Sequence, residues 1–331
     1  MSYCNQCGQK VEENAKFCAN CGVPVNVTPI SGQQVTVTEQ TVQQNNANEQ
    51  AHLQVQPRVQ AKGKGSAADL TSCFDEEDIE YLRSLHIFED DFLEYLRSFH
   101  FTGDIYAIPE GTVIFPREPF IKVVAPIMEA QLVETAILNI MNHQSLIATK
   151  AARVCYAAQN DGVMEFGLRR AQGPDSGIYG ARAAVIGGCC GTSNVLAGQI
   201  FNIPVKGTHA HSWIMSFPDE YTAFKTYAEL YPDACILLVD TYDTLKSGVP
   251  NAIRVFQEMK DAGISPRKLG IRLDSGDLAY LSKKARKMLD EAGFEEATIC
   301  ASNDLDEYLI HDLKMQGAAI DSWGVGTNLI T

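Results

Sequence analysis

From residue 163 onward the chain repeats one rhythm: an apolar run, a short polar motif, then a helical pattern. The motifs are Met164-Glu-Phe-Gly167 leading into Leu168-Arg169-Arg170, Ala184-Val-Ile-Gly-Gly leading into Gly191-Thr-Ser-Asn194, and Gly207-Thr-His-Ala-His-Ser after Ile200–Val205. Next come Ile236-Leu-Leu-Val-Asp240, Leu269-Gly-Ile-Arg272-Leu-Asp274, Ala297-Thr-Ile-Cys-Ala-Ser302-Asn303 and Ile320-Asp-Ser-Trp-Gly324-Val-Gly326-Thr327. Helical patterns lie between them, for example at Val249–Ala262 and Leu278–Ala292. Alternating strands and helices dictate a parallel sheet with helices packed on it. Seven such units predict a closed or nearly closed α/β barrel, whose reactive groups gather at the C-terminal strand ends.

The sequence before this region is organised differently. Residues 1–24 hold Cys4-x-x-Cys7-Gly8 and Cys18-x-x-Cys21-Gly22, two knuckles with ten residues between them. Each glycine permits a tight turn that aims both thiolates at one ion, and four thiolates favour tetrahedral zinc. So short a segment has no useful core, so the metal supplies its folding energy. A closed four-cysteine zinc ribbon is structural rather than catalytic. Residues 25–70 are rich in Gln, Asn and Thr and read as a disordered linker that tethers the ribbon. Residues 71–150 read as a helical hairpin and part of an α/β sandwich. The hairpin carries the near-repeat Glu80-Tyr-Leu-Arg-Ser84 and Glu94-Tyr-Leu-Arg-Ser98. Residues 101–127 show β patterning broken by Gly and Pro, and 129–158 a long helical pattern with an expected break near Asn142–Ser145. The barrel domain is placed at 151–331.

Charge and cysteine usage narrow the function. A net charge of −14 argues against a nucleic-acid binder, because that affinity comes from Lys and Arg neutralising phosphates. No apolar run approaches the roughly 18 residues of a membrane span, and the N-terminus lacks the pattern of a signal peptide. Outside the ribbon the cysteines lie in apolar runs or beside Gly, with Cys73 near the linker, which suits reduced thiols in a cytoplasmic protein.

The strand-end motifs suggest chemistry on a phosphate-bearing small molecule. Arg169 and Arg170 offer guanidinium forks to a carboxylate or phosphate, or form ion pairs within the fold. Asp240, Asp243, Asp274 and Asp277 can hold Mg²⁺ or ribose hydroxyls, with Asp277 equally placed to cap the helix that starts at Leu278. Gly324-Val-Gly326-Thr327 resembles a turn whose bare N–H groups cradle an anion. His209 and His211 face one side of an extended chain and read either as a metal pair or, better in these surroundings, as an acid, base or phosphoryl acceptor.

These segments together resemble the nicotinate phosphoribosyltransferase family. E-F-G-L-R-R-A-Q-G-P-D, G-G-C-C-G-T-S-N, G-T-H-A-H-S-W, L-V-D-T-Y-D-T, G-I-R-L-D-S-G-D-L, A-S-N-D-L-D-E-Y and D-S-W-G-V-G-T-N-L-I-T run in the family's order between about Asp75 and Thr331. The resemblance implies an irregular α/β barrel of the type II phosphoribosyltransferase kind with a partial α/β sandwich. It implies that nicotinate and phosphoribosyl pyrophosphate form nicotinate mononucleotide, an NAD salvage step, with Mg²⁺ and with ATP as co-substrate. By residue matching, His211 becomes the phosphohistidine, Thr208 and Arg272 contact nicotinate, and Thr327 contacts the phosphoribosyl group. Asp240, Asp274, Asp277, Ser302, Asn303, Gly324, Gly326, Arg169 and Arg170 complete the expected substrate-binding set. A homodimer, or completion by another chain, is implied.

Two departures are visible. The family's opening L-L-T-D-L-Y-x-x-T-M segment is absent, with ribbon and linker in its place, and the sequence ends at the G-V-G-T-x-L-I-T motif, so a C-terminally truncated barrel is expected. The alternative is a non-catalytic relative acting through its zinc ribbon. A nicotinamide- or quinolinate-using relative fits the G-T-x-A-H-S and R-R-A-Q segments less well. Metal analysis should find one zinc ion per chain, and Cys18→Ser should abolish it; zinc retained by that variant would refute the four-cysteine site.

Overall fold

The first helix begins where acidic side chains cap it. The computed structural model describes Ser2–Tyr3 (β1), Lys10–Val11 (β2) and residues 74–331. The four ribbon cysteines and the 25–70 linker lie outside the described residues. Met1–Ser72 forms one unit, in which β1 and β2 pair antiparallel, and Cys73–Thr331 forms another. In the second unit, Asp75 and Asp78 exchange side chain and backbone at the start of Glu76–Ser84 (α1), a capping box that satisfies two otherwise free N–H groups. Asp90–Arg97 (α2) returns beside it. Ile79, Leu93 and Leu96 are buried between the two helices, with Leu132 packed against them. The near-repeat therefore makes the packing hairpin expected of it.

Asp104–Ala107 (β3) and Ile121–Val124 (β4) pair antiparallel, with Asp104 opposite Val124. Ile127–Ala158 (α3) follows as one unbroken helix of 32 residues. The expected break near Asn142–Ser145 does not occur. That stretch is polar but holds neither Gly nor Pro, and the His143 ring makes a 2.9 Å hydrogen bond to Ser176 Oγ that keeps it on the packed face.

The remainder is the barrel. Its strands are Gly162–Glu165 (β5), Gly191–Thr192 (β6), Ala234–Leu238 (β7), Lys268–Leu273 (β8), Thr298–Ala301 (β9) and Ser322–Val325 (β10). They form one parallel sheet in the order β6-β5-β10-β9-β8-β7. The helices are Pro174–Ile186 (α4), Val195–Phe201 (α5), His211–Met215 (α6), Glu220–Leu230 (α7), Val249–Asp261 (α8), Leu278–Glu291 (α9), Glu307–Met315 (α10) and Thr327–Ile330 (α11). One core runs through the sheet and its helices, with Trp323, Phe224, Phe256, Leu237, Ile271 and Ile299 fully buried.

Two expected strands are helical. Ala184–Ile186 ends α4, because the Ala-rich run after Gly173-Pro174 is a good helix former with proline at its start. Ile200 and Phe201 end α5, and of the following residues only Val205 bridges to a strand, at Thr192. The short segment 204–209 nevertheless completes the ring. Thr192 N–H donates to Pro204 O at 3.0 Å and Lys206 N–H to Thr192 O at 2.9 Å. At the other end Leu238 N–H donates to His209 Nε2 at 3.2 Å. The two edges of the sheet, β6 and β7, are thus joined by the segment that carries the histidines.

Between β7 and α8 a wide turn, Thr244–Gly248, presses its last residue onto the strand end. A Cβ on Gly248 would lie 1.8 Å from the carbonyl oxygen of Val239, and backbone cannot yield as a side-chain tip can. Gly248→Ala should therefore destabilise the barrel by about 1–3 kcal/mol, seen as a thermal midpoint lower by roughly 2–4 °C per kcal/mol; an unchanged midpoint would contradict this packing.

Candidate active site

The strand ends of the barrel surround a cavity of about 480 Å³. Its wall holds Arg169, Arg170, Thr208, His211, Arg272, Asp274, Ser302, Asn303, Gly324, Gly326 and Thr327, all expected from the sequence. Asp240 and Asp277 are not in the wall. Asp277 caps α9 by accepting from Tyr280 N–H at 2.9 Å, so here the capping alternative describes its contact. Asp240 lies beneath the wall. Its Oδ2 accepts from Asp274 N–H at 2.7 Å and from Ser275 Oγ at 2.6 Å, while its Oδ1 is buried without a hydrogen-bond partner. Asp243 is likewise a cap, accepting from Lys246 N–H at 3.0 Å.

Residue 211 opens α6, and its ring is gripped on both nitrogens. Nδ1 is 3.1 Å from Thr241 Oγ1, and Nε2 is 3.3 Å from Asp274 Oδ2 and 4.0 Å from Asp240 Oδ1. Asp274 is itself held by the Ser302 hydroxyl on its other oxygen. The imidazole is about one third exposed, so a ligand in the cavity can reach it.

His209, two residues earlier, is buried at 9% exposure, edge-on to the Tyr227 ring at 4.5 Å. Burial, with a smaller contribution from the Arg272 charge, pushes its pKa down to about 4. Its Nε2 accepts from Leu238 N–H, so the ring is neutral with its proton on Nδ1, which has no partner. The metal-pair alternative for His209 and His211 finds no support in this geometry, since the lone pair of His209 is committed to the backbone.

Arg272 projects from β8, with Nη1 donating to Thr208 Oγ1 at 2.5 Å and a buried Nε that lacks a partner. Among the described residues neither Arg272 nor Arg169 nor Arg170 forms an ion pair, although six other arginines do. Three unneutralised guanidiniums around one cavity, in a chain of net charge −14, make it a receptor for anions.

Phe166, Ser193 and Asp304 also line the cavity, and Thr241 supports His211; none was singled out from the sequence. Each sits inside a quoted motif, and Asp304 and Thr241 stand directly beside Asn303 and Asp240, which were. Phe166 fills the space that lets Gly324 be glycine only: a Cβ there would lie 2.5 Å from its ring. Asn303 and Asp304 adopt φ of 96° and 43°, left-handed values uncommon for such residues, and Asn328 Nδ2 donates to Asp304 O at 2.8 Å.

Comparison with known proteins gives a consistent picture. Residues 34–142 match the family model for the nicotinate phosphoribosyltransferase N-terminal domain, residues 162–331 that for the nicotinate phosphoribosyltransferase family, and residues 3–25 that for a zinc-ribbon domain. The chain is 58% identical over 258 residues to the nicotinate phosphoribosyltransferase of Bacillus subtilis, covering 78% of this chain and 52% of that one. The Dictyostelium discoideum enzyme of that name is 44% identical, covering 69% of this chain and 46% of its own. The chain spans about half the length of the curated relatives it matches. The crystal structure of human nicotinic acid phosphoribosyltransferase superposes with a TM-score of 0.70 at 31% identity, covering 76% of this chain and 62% of that one. Nicotinate-nucleotide pyrophosphorylase from Pyrococcus furiosus gives 0.60 at 29% identity, covering 70% and 58%.

The buried His209 makes stability depend on pH. With a folded-state pKa near 4 and an unfolded value near 6.5, the unfolded chain binds the extra proton, so this contribution is present above pH ~6.5 and lost as pH falls toward 4. The loss amounts to about 3 kcal/mol. In His209→Gln, whose amide oxygen can still accept from Leu238 N–H, chemical denaturation should show a shallower decline over that window; an identical slope would contradict a neutral His209.

Proposed function

This chain belongs to the nicotinate phosphoribosyltransferase family, and we propose that it joins nicotinate to phosphoribosyl pyrophosphate, giving nicotinate mononucleotide and pyrophosphate. ATP hydrolysis is coupled to this step through a phosphohistidine at His211. The observation that carries the reading is the set of three unpaired arginines around one cavity, with His211 in the same wall. Both substrates are anions, and such a site draws them in and orients them.

Arg272 and Thr208 take the nicotinate carboxylate. The guanidinium is already fixed by its bond to Thr208, so little freedom is lost when the anion docks. Phe166 offers a flat apolar face for the pyridine ring. Arg169, Arg170, Thr327 and the backbone around Gly324 and Gly326 take the phosphate groups, with Ser302 and Asn303 beside them. The ring nitrogen then donates its lone pair to the ribose C1 as the C1–O bond breaks, and the electron pair of that bond leaves with pyrophosphate. The arginines offset the growing charge on the leaving group, in a fixed geometry that needs no rearrangement.

In this reading His211 takes the phosphoryl group from ATP: a ring nitrogen displaces ADP, and water later releases phosphate. Thr241 and Asp274 fix the ring plane while leaving an exposed edge. The carboxylates of Asp274 and Asp304 in the wall suit Mg²⁺, a hard cation that prefers oxygen. Among the described residues no group of three or more acidic, His or Cys side chains forms a metal cage, so Mg²⁺ fits best as a partner of the substrate phosphates. When bound, that ion would supply charge neutralisation to the departing pyrophosphate. Asp240 acts from behind by holding Asp274, and Asp277 by capping α9.

The zinc-ribbon match supports structural Zn²⁺ on Cys4, Cys7, Cys18 and Cys21. Free thiols at Cys155, Cys189, Cys190, Cys235 and Cys300 support a reducing, cytoplasmic setting, and no helix among the described residues is long and apolar enough to cross a membrane. A homodimer, or completion by another chain, fits exposed Val113, Phe115 and Ile127. Incubated with nicotinate, phosphoribosyl pyrophosphate, Mg²⁺ and ATP, the folded protein should form nicotinate mononucleotide. Arg272→Leu should raise the KM for nicotinate about 10–100-fold, and His211→Ala should uncouple ATP hydrolysis. No product from folded protein overturns the activity, and coupling retained without His211 overturns the phosphohistidine.

A further inference from the structure

Glu165, the last residue of β5, is 0% exposed, and no step above uses it. Among the described residues no cation pairs with it. Burial pushes its pKa up, against the pull of bonds from Thr192 and Gly167. A buried, unpaired acid is costly to keep, so its contacts are informative.

Those contacts join two turns that carry Phe166, Arg169, Arg170 and Ser193 of the cavity wall. One carboxylate oxygen accepts from Gly167 N–H. The other accepts from Thr192 Oγ1 at 2.5 Å, and the same hydroxyl accepts from Asn194 N–H at 2.9 Å. The Glu165 carbonyl also accepts from Ser193 N–H at 3.0 Å. Gly167 is the pivot of the turn that carries Phe166 on one side and the 3₁₀ segment Leu168–Arg170 on the other; its own carbonyl accepts from Arg170 N–H at 2.7 Å. Arg169 and Arg170 are long, exposed and without ion-pair partners, so only the turn beneath them sets their direction.

We propose that Glu165 is a positioning residue, whose carboxylate clamps the Gly167 and Thr192 turns together so that Arg169 and Arg170 meet the pyrophosphate-bearing substrate. Its substrate side rests on the function proposed above. The clamp predicts selectivity among variants. In Glu165→Gln the amide oxygen still accepts from Gly167 N–H, and the amide NH₂ donates to Thr192 Oγ1. Glu165→Leu keeps the bulk and loses both bonds. Thr192→Val removes one bond and leaves the acid.

The test measures inorganic pyrophosphate binding by calorimetry, the KM values for phosphoribosyl pyrophosphate and nicotinate, and backbone amide exchange, all on the full chain. Glu165→Leu should weaken pyrophosphate affinity and raise the phosphoribosyl pyrophosphate KM by about 10–100-fold. The nicotinate KM, which depends on Arg272 across the cavity, should move by less than about threefold. Glu165→Gln should rescue both, and Thr192→Val should fall between. Exchange should accelerate at Gly167–Arg170 in Glu165→Leu and not in Glu165→Gln. Unchanged pyrophosphate affinity in folded Glu165→Leu, equal losses in the Gln and Leu variants, or unchanged exchange at Gly167–Arg170 each overturns the proposal. Should Glu165→Leu fail to fold, Thr192→Val decides by the same readouts. Should wild type bind no pyrophosphate, the functional reading fails by itself, and the exchange measurement still decides the clamp.

Discussion

The hydrogen bond from Leu238 N–H to His209 Nε2 carries more of this structure than its 3.2 Å suggests. A parallel sheet of six strands has two edges, and an open edge leaves N–H and C=O groups unpaired. Here the edges at β6 and β7 are bridged by six residues, 204–209, which are too irregular to be a full strand. Backbone bonds at Thr192 serve one side, and a side-chain nitrogen serves the other. The bridging segment ends two residues before His211, so closing the ring also places that histidine over the cavity. The closure requires an imidazole lone pair, which explains why His209 must stay neutral.

Charge organises the cavity in a second way. Arg182, Arg254, Arg267 and Arg286 of the barrel unit are spent on ion pairs, yet Arg169, Arg170 and Arg272 around the cavity are left without them. Three nearby carboxylates are occupied elsewhere. Asp240 holds the backbone of residue 274, Asp274 faces His211 and the Ser302 hydroxyl, and Glu165 holds two turns. These acids thus build the frame and the arginines line the cavity. An acidic protein can in this way bind acidic substrates without being neutralised by its own side chains.

Much of this was legible in the sequence because strand-end motifs combine a periodic apolar run with residues that have no reason to be in a core. That signal gave a parallel barrel and most of the cavity wall. It failed where two physical roles share one residue type. Asp274 and Asp277 sit three apart in the same motif, but only the second is spaced to cap Tyr280 N–H. Ala184–Ile186 has the apolar content of a strand, and only its place after Gly173-Pro174 marks a helix. Glu165 and Phe166 are ordinary in composition, since burial of an acid or contact of a ring with a glycine are facts of three dimensions. His209 reads from sequence as one of a reactive or metal-binding pair with His211, and the structure instead commits its lone pair to the edge of the sheet at Leu238.

The surroundings of His211 bear on how the proposed phosphohistidine could alter the site. Asp274 lies 3.3 Å from Nε2 and Asp240 Oδ1 lies 4.0 Å away without a hydrogen-bond partner. Two carboxylates flank that nitrogen, so a phosphoryl group on it would bring like charge against them. At separations of about 5 Å and an effective dielectric of about 20, each such repulsion is roughly 3 kcal/mol. Arginines or a cation must offset it, and the unpaired guanidiniums of the same wall are the available groups. Phosphorylation would therefore compete for the charges proposed to hold pyrophosphate, which would link the two events by electrostatics alone. The linkage is reciprocal: whatever pyrophosphate gains from the arginines, a phosphoryl group on His211 can take from it.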